Sequence, residues 1–187
     1  TITLKEVIVL VLDEADRMLD MGFKPQLNKI LKDVPKQRQT LLFSATMAQE
    51  IFNLATREMQ LPLRIEVAPS GTTAAKVDQE LIVVRQEHKS ELLQSLLKDI
   101  QGSVLVFSRT KYGAKKIARA LNKVGHTAAE IHANRTLPQR RAALEGFKTG
   151  KYRVLVATDI AARGIDVNDI AVVINYDLPN DPADYVH

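Results

Sequence analysis

Three carboxylates fall within four residues: Asp13, Glu14 and Asp16. They follow six unbroken apolar residues, Val7 to Leu12. Carboxylate oxygens are hard ligands that suit a divalent cation, and a neighbouring carboxylate can orient or deprotonate a water. The pattern therefore reads as a site for metal-assisted attack of water on a phosphoryl group. Asp13 would help hold Mg²⁺ and Glu14 would position or polarise the attacking water. The alternative for acids at this place is a helix cap.

Such chemistry needs a rigid support. The run 7–12 is mostly β-branched and suits a strand buried on both faces of a parallel sheet. In an open α/β sheet, ligands bind beyond the carboxyl ends of the strands. The same design recurs along the chain. Ser44-Ala45-Thr46 follows an apolar run at 40–43, Ser108-Arg109-Thr110 follows 104–107, His132 and Asn134 follow 128–131, and Thr158-Asp159 follows 154–157. Further strands are expected at 63–67, 80–84 and 172–175. Helices are expected at 25–33, with Leu27, Ile30 and Leu31 on one face, and at 48–59, 89–100, 111–124 and 137–148. Gly125 and Gly150 stand where helix C-caps belong. Thr136 with Gln139, and Pro138 inside the first turn, makes a capping box. Alternating strands and helices predict an α/β fold with parallel sheets. The small, polar, aperiodic residues around 69–78 read as a linker. If the strands in each half are parallel, each half gathers its polar exits along one sheet edge, and two such edges facing each other would form a cleft.

Composition narrows the class. The chain has 187 residues, 45% of them hydrophobic, enough for one large domain or two small ones. It has no Cys, which excludes disulfides and thiolate metal sites. Its four His, at 88, 126, 132 and 187, are too scattered for a zinc site. No apolar run reaches the ~20 residues of a membrane helix. No signal peptide is visible, so a cytoplasmic location is the default expectation. The chain begins at Thr1 in near-strand sequence, and it reads as a segment of something longer. The net charge is +4. It comes from the second half: residues 109–153 hold 12 basic residues against Glu130 and Glu145 alone. That excess is a candidate phosphate-binding surface; a solvated helix face is the other reading, and the stronger one for Lys115, Lys116, Arg119 and Lys123.

Taken together, these clusters resemble the motifs of the DEAD-box RNA helicases, a superfamily 2 group with two RecA-like domains, and most closely its bacterial members. Asp13-Glu14-Ala15-Asp16 resembles motif II and Ser44-Ala45-Thr46 motif III. Motif IV matches 104–110, and motif V matches Ala157-Thr158-Asp159-Ile160-Ala161-Ala162-Arg163-Gly164-Ile165-Asp166. The resemblance implies two RecA-like parallel-sheet domains, the first only partly present. Residues 1–68 would be the later part of the first, 69–78 the linker and 79–187 the second.

The phosphate loop G-x-x-x-x-G-K-[ST] has no counterpart within these residues, and His187 stands where motif VI would begin. The segment by itself is therefore expected to hydrolyse ATP negligibly. A nonhydrolytic RNA- or partner-binding remnant is the competing reading, and a DNA-directed motor a third.

The resemblance also implies roles. ATP and Mg²⁺ would be the cofactors and RNA the partner, held mainly through its sugar–phosphate backbone. ATP and RNA together would close the two domains, bend the RNA strand and expel its duplex partner. Asp13 would bind Mg²⁺ largely through water, with Glu14 as the group acting on the attacking water. Asp16, Ser44 and Thr46 would couple the nucleotide and RNA sites. Gly164 and Asp166 would contact the nucleotide, and Arg163 would pair with an acid across the cleft. Arg109, Thr110, Lys111, Gly113, Arg140 and Thr158 would contact RNA, helped by free N–H groups at the helix starts near 111 and 137. The family's Gln-x-x-Arg is altered here: Leu137 takes the Gln place while Arg140 remains, with Gln139 one alternative donor. His132 reads as a structural residue at a strand end.

Overall fold

The computed structural model describes residues 2–20, 22–66, 77–162, 167–180 and 185. The chain divides into two compact units, Thr1–Val77 and Asp78–Tyr185.

In the first unit, β1 (Val9–Leu12) and β2 (Gln39–Leu42) run parallel, with Val9 opposite Gln39 and Leu12 opposite Leu42. Three helices, α1 (Ala15–Asp20), α2 (Lys24–Asp33) and α3 (Gln49–Glu58), accompany them. Leu12, Leu27, Leu31 and Leu54 form a small core, with Met18 and Leu19 packed against it. The strand before the carboxylates is not buried on both faces as its sequence suggests. Val9 and Val11 are 46% and 53% exposed, because the described helices α1, α2 and α3 all pack on the opposite, Leu10–Leu12 face. Ile30 is likewise exposed, so α2 buries Leu27 and Leu31 alone. The guanidinium of Arg38 is buried. It bonds Glu58 at 2.9 Å, the Pro35 carbonyl at 2.7 Å and Thr40 Oγ1 at 3.2 Å, tying the entry to β2 to the end of α3.

The second unit holds a four-stranded parallel sheet in the order β4-β5-β3-β6. Its strands are β3 (Ser103–Phe107), β4 (Ala128–Ile131), β5 (Val154–Ala157) and β6 (Ile170–Asn175). Its helices are α4 (Lys89–Asp99), α5 (Lys111–Lys123), α6 (Leu137–Lys148) and the single turn α7 (Asp159–Ala162). The apolar runs split by strand period. Val104, Val106, Val154 and Val156 pack on one face with Leu93, Leu97, Ile117 and Leu121. Leu105, Leu155 and Ala157 pack on the other with Ala143, Phe147 and Ala161. Every residue of β5 is buried, which is why its sequence shows no alternation.

Thr136 and Gln139 form the expected capping box. Gly125 and Gly150 take φ of 91° and 76°, the left-handed form a C-cap asks for. Residues 63–66 and 80–84 form no strand, contrary to their apolar sequence; Val67 lies outside the described residues. Leu81 and Val83 are 79% and 92% exposed. A β-branched run becomes a strand only where a neighbour offers a hydrogen-bond ladder, and none among the described residues does. No helix among the described residues is long and apolar enough to cross a membrane.

Candidate functional site

In the first unit, β1 delivers Asp13 and Glu14 to its carboxyl end, where both are exposed. Asp13 Oδ1 accepts the Glu14 N–H at 2.9 Å. Glu14 takes a φ of 50°, a left-handed conformation that a side chain other than glycine adopts at some cost. That turn lets the chain pass from strand to α1 within two residues. Ala15 is fully buried beneath it, and its N–H bonds the Phe43 carbonyl at 3.0 Å.

Asp16 points the other way and is buried. Its Oδ2 accepts the Thr46 N–H at 2.8 Å and the Thr46 hydroxyl at 2.9 Å, and its Oδ1 accepts the Arg17 N–H at 2.9 Å. Ser44 donates its hydroxyl to the Thr46 carbonyl at 2.7 Å. The exits of β1 and β2 are therefore joined through one carboxylate. Among the described residues no three His, Cys, Asp or Glu side chains gather as a metal cage.

In the second unit the exits of β3 and β5 adjoin, with Ser108 N–H bonded to the Ala157 carbonyl at 2.9 Å. Arg109 is exposed at this edge. Thr110 caps α5 by accepting the Gly113 N–H at 2.9 Å. A side chain at Gly113 would crowd this turn, since a Cβ would stand 2.4 Å from the buried Ser108 hydroxyl. Lys111 Nζ bonds Asn134 Oδ1 at 3.1 Å, joining the exits of β3 and β4. Arg140 donates to the Ala161 carbonyl at 3.1 Å and so reaches the turn after β5, which starts at Thr158. Gly164, Asp166 and Arg163 lie outside the described residues.

Two readings change. The helix N-termini near 111 and 137 are less open to an anion than expected. The Gly113 and Gln139 N–H groups are taken by their own threonine caps, and Pro138 has none to offer. The Gln139 side chain accepts the Thr136 N–H at 3.1 Å, so it is engaged in the cap while Leu137 stays exposed. His132 is buried at the end of β4, its Nε2 3.5 Å from Glu130 Oε1.

Asp177 and Lys89 escaped the sequence reading. Asp177 stands just past β6, and its carboxylate meets Lys89, Ser108 and the Arg109 backbone. The signal that marked the other exits, an apolar strand running into a polar residue, was present here too. Lys89, far away in sequence, left no trace.

The comparisons with known proteins fit this geometry. Residues 1–54 match the DEAD/DEAH box helicase family and residues 88–187 the helicase conserved C-terminal domain. The ATP-dependent RNA helicase CshA of Listeria monocytogenes is 46% identical over the whole chain, and DbpA of Bacillus subtilis, another ATP-dependent RNA helicase, is 43% identical. The chain spans 36% and 39% of those two proteins. The structure of S. cerevisiae Dbp5 bound to RNA and ADP BeF3 is similar over 99% of this chain and 50% of its own, with a TM-score of 0.88 at 30% identity. With parallel RecA-like sheets, a strand ending in Asp-Glu-Ala-Asp and a matching C-terminal helicase region, the chain belongs to the DEAD-box helicase family.

Proposed function

We propose that these residues belong to an RNA-stimulated ATPase that separates or remodels short RNA duplexes. Residues 1–68 would serve as the later part of its first RecA-like domain, 69–78 as a linker and 79–187 as the second domain. The observation that carries the reading is the bonded pair Asp16–Thr46 behind an exposed Asp13–Glu14 turn. A turn built only as a helix cap has no need for two outward carboxylates, a left-handed Glu and a buried tie to the next strand exit.

Mg²⁺ suits this turn, because it keeps most of its water and takes one or two carboxylates together with substrate phosphates. Bound with ATP, it would neutralise phosphate charge and aid attack by water. Asp13 would hold it, largely through water. Glu14 would orient the attacking water and take its proton. Thr46 would pass movement to the turn through Asp16, and Ser44 would hold Thr46 in place. Gly164 and Asp166 would contact the nucleotide. Arg109, Thr110, Lys111, Gly113, Arg140 and Thr158 would meet the sugar–phosphate backbone, which makes binding tolerant of sequence.

Glu14→Gln, made in the complete reading frame that contains this chain, tests the assignment. ATP and RNA should still bind while turnover falls by about 10²–10⁴-fold, the range of a lost general base. Retained turnover would remove Glu14 from the chemistry. Stimulation of the wild type by DNA more than by RNA would overturn the substrate class.

A further inference from the structure

We infer that Asp177, clamped by Lys89, is a positioning residue that sets the shape of the RNA-contacting segment Ser108-Arg109-Thr110; this role rests on the proposed RNA-stimulated ATPase. The carboxylate stands between three elements. Oδ1 accepts from Lys89 Nζ, at the start of α4, at 3.1 Å. Oδ2 accepts the Ser108 hydroxyl at 3.3 Å and the Arg109 N–H at 3.2 Å, both just past β3. Asp177 itself follows β6, and the backbone N–H of Tyr176 bonds the Phe107 carbonyl at 3.0 Å.

Lys89 is fixed in turn. Its ammonium bonds the Tyr176 carbonyl at 2.7 Å and lies 5.1 Å from the centre of the Tyr176 ring. Both charged side chains are mostly shielded, at 23% and 20% exposure. Burial pushes the Asp177 carboxyl up, but the Arg109 N–H, Lys89 and Ser108 together outweigh it and hold the acid below its ordinary value. The group is therefore charged at neutral pH.

An anion at the edge assigned to RNA phosphate repels the ligand. Its value there must come from geometry. By holding the Arg109 N–H and the Ser108 hydroxyl, Asp177 fixes the backbone from which the Arg109 side chain and the Thr110 cap project. Lys89 offsets its charge, so the clamp adds order without leaving a bare negative site.

This sets electrostatics and positioning in opposition. Asp177→Asn removes a negative charge. If charge alone mattered, RNA would bind more tightly. If positioning matters, the loss of a charge-assisted clamp should weaken RNA binding by about fivefold or more.

The measurement is made in the complete reading frame, by anisotropy of a labelled single-stranded RNA and by ATPase rate against RNA concentration. The expected result is a raised Kd and a KM for RNA raised by the same factor, with kcat at saturating RNA falling by less than about twofold. Unchanged or tighter RNA binding would overturn the role. Should Asp177→Asn fail to fold, Ser108→Ala decides: it removes one clamp bond, and a weaker rise in KM supports the role while an unchanged KM overturns it. A wild type with no RNA stimulation overturns the proposed function and this role with it. A stimulated wild type beside an unaltered Asp177→Asn overturns this role alone.

Discussion

Single atoms decide much at the strand exits. Gly113 shows it most directly: the space its side chain would need is held by the buried Ser108 hydroxyl, 2.4 Å from an added Cβ. Gly113→Ala would have to push Ser108 away and so disturb both the α5 cap and the Asp177 clamp. Overpacking of this kind costs about 1–3 kcal/mol. A lower urea midpoint with an unchanged slope would register it, whereas a wild-type midpoint would show that the turn yields freely. At this scale Asp16 matters as much as the two exposed acids before it. Of the three carboxylates it alone is buried, and it joins two segments 30 residues apart through Thr46.

At the scale of elements, helix starts and strand edges are closed by side chains from neighbouring segments. The outer edge of β4 is an example. Asn122, near the end of α5, donates to the Ala128 carbonyl at 2.9 Å and accepts the Ala128 N–H at 3.0 Å, as a neighbouring strand would. The same amide donates to the Ala118 carbonyl at 2.9 Å. Edge strands that keep such groups unpaired invite pairing with other chains. Asn122→Ala should lower stability by about 1–3 kcal/mol, read by denaturant unfolding, and should raise aggregation on warming. Unaltered stability would show that water replaces the amide at no loss. The same end of the sheet is held by Arg153, which donates to the Leu97 carbonyl at 2.8 Å and the Ile100 carbonyl at 2.5 Å at the end of α4, and to the Gly102 carbonyl at 3.2 Å. It satisfies carbonyls at the end of α4 that no intrahelical N–H can reach.

For the molecule as a whole, the fold redistributes the charge that the sequence concentrates in 109–153. Helices in a parallel sheet run back against the strands, so their basic residues spread from the exit edge to the opposite end. Arg153 is spent on the α4 carbonyls, and Lys115, Lys116, Arg119 and Lys123 point to solvent along α5. Arg109, Lys111 and Arg140 remain near the exits. If these three meet phosphate as proposed, log affinity for single-stranded RNA should fall against log salt with a slope of about −2, whereas the full excess would give about −7. A titration of this chain with labelled RNA separates the two. A slope near the larger figure would restore the single phosphate surface.

How much of this was legible beforehand depended on range. Continuous apolar runs and helical periods identified β3, β4, β5, α5 and α6 almost to the residue, because burial on two faces or along one stripe is written locally. The strand-exit positions of Asp13, Glu14, Asp16, Ser44 and Thr46 were readable because each follows an apolar run. Strands at 63–66 and 80–84 were not correctly readable, since a strand is completed by its neighbour and local sequence does not name one. Lys89 meeting Asp177, Arg38 meeting Glu58 and Asn122 closing β4 were equally hidden. The sequence by itself determined most of the elements, their parallel α/β order and the polar character of their exits. Only the tertiary structure decided which exits adjoin, which carboxylate is buried and which cation answers it, because those contacts join residues that chain order keeps apart.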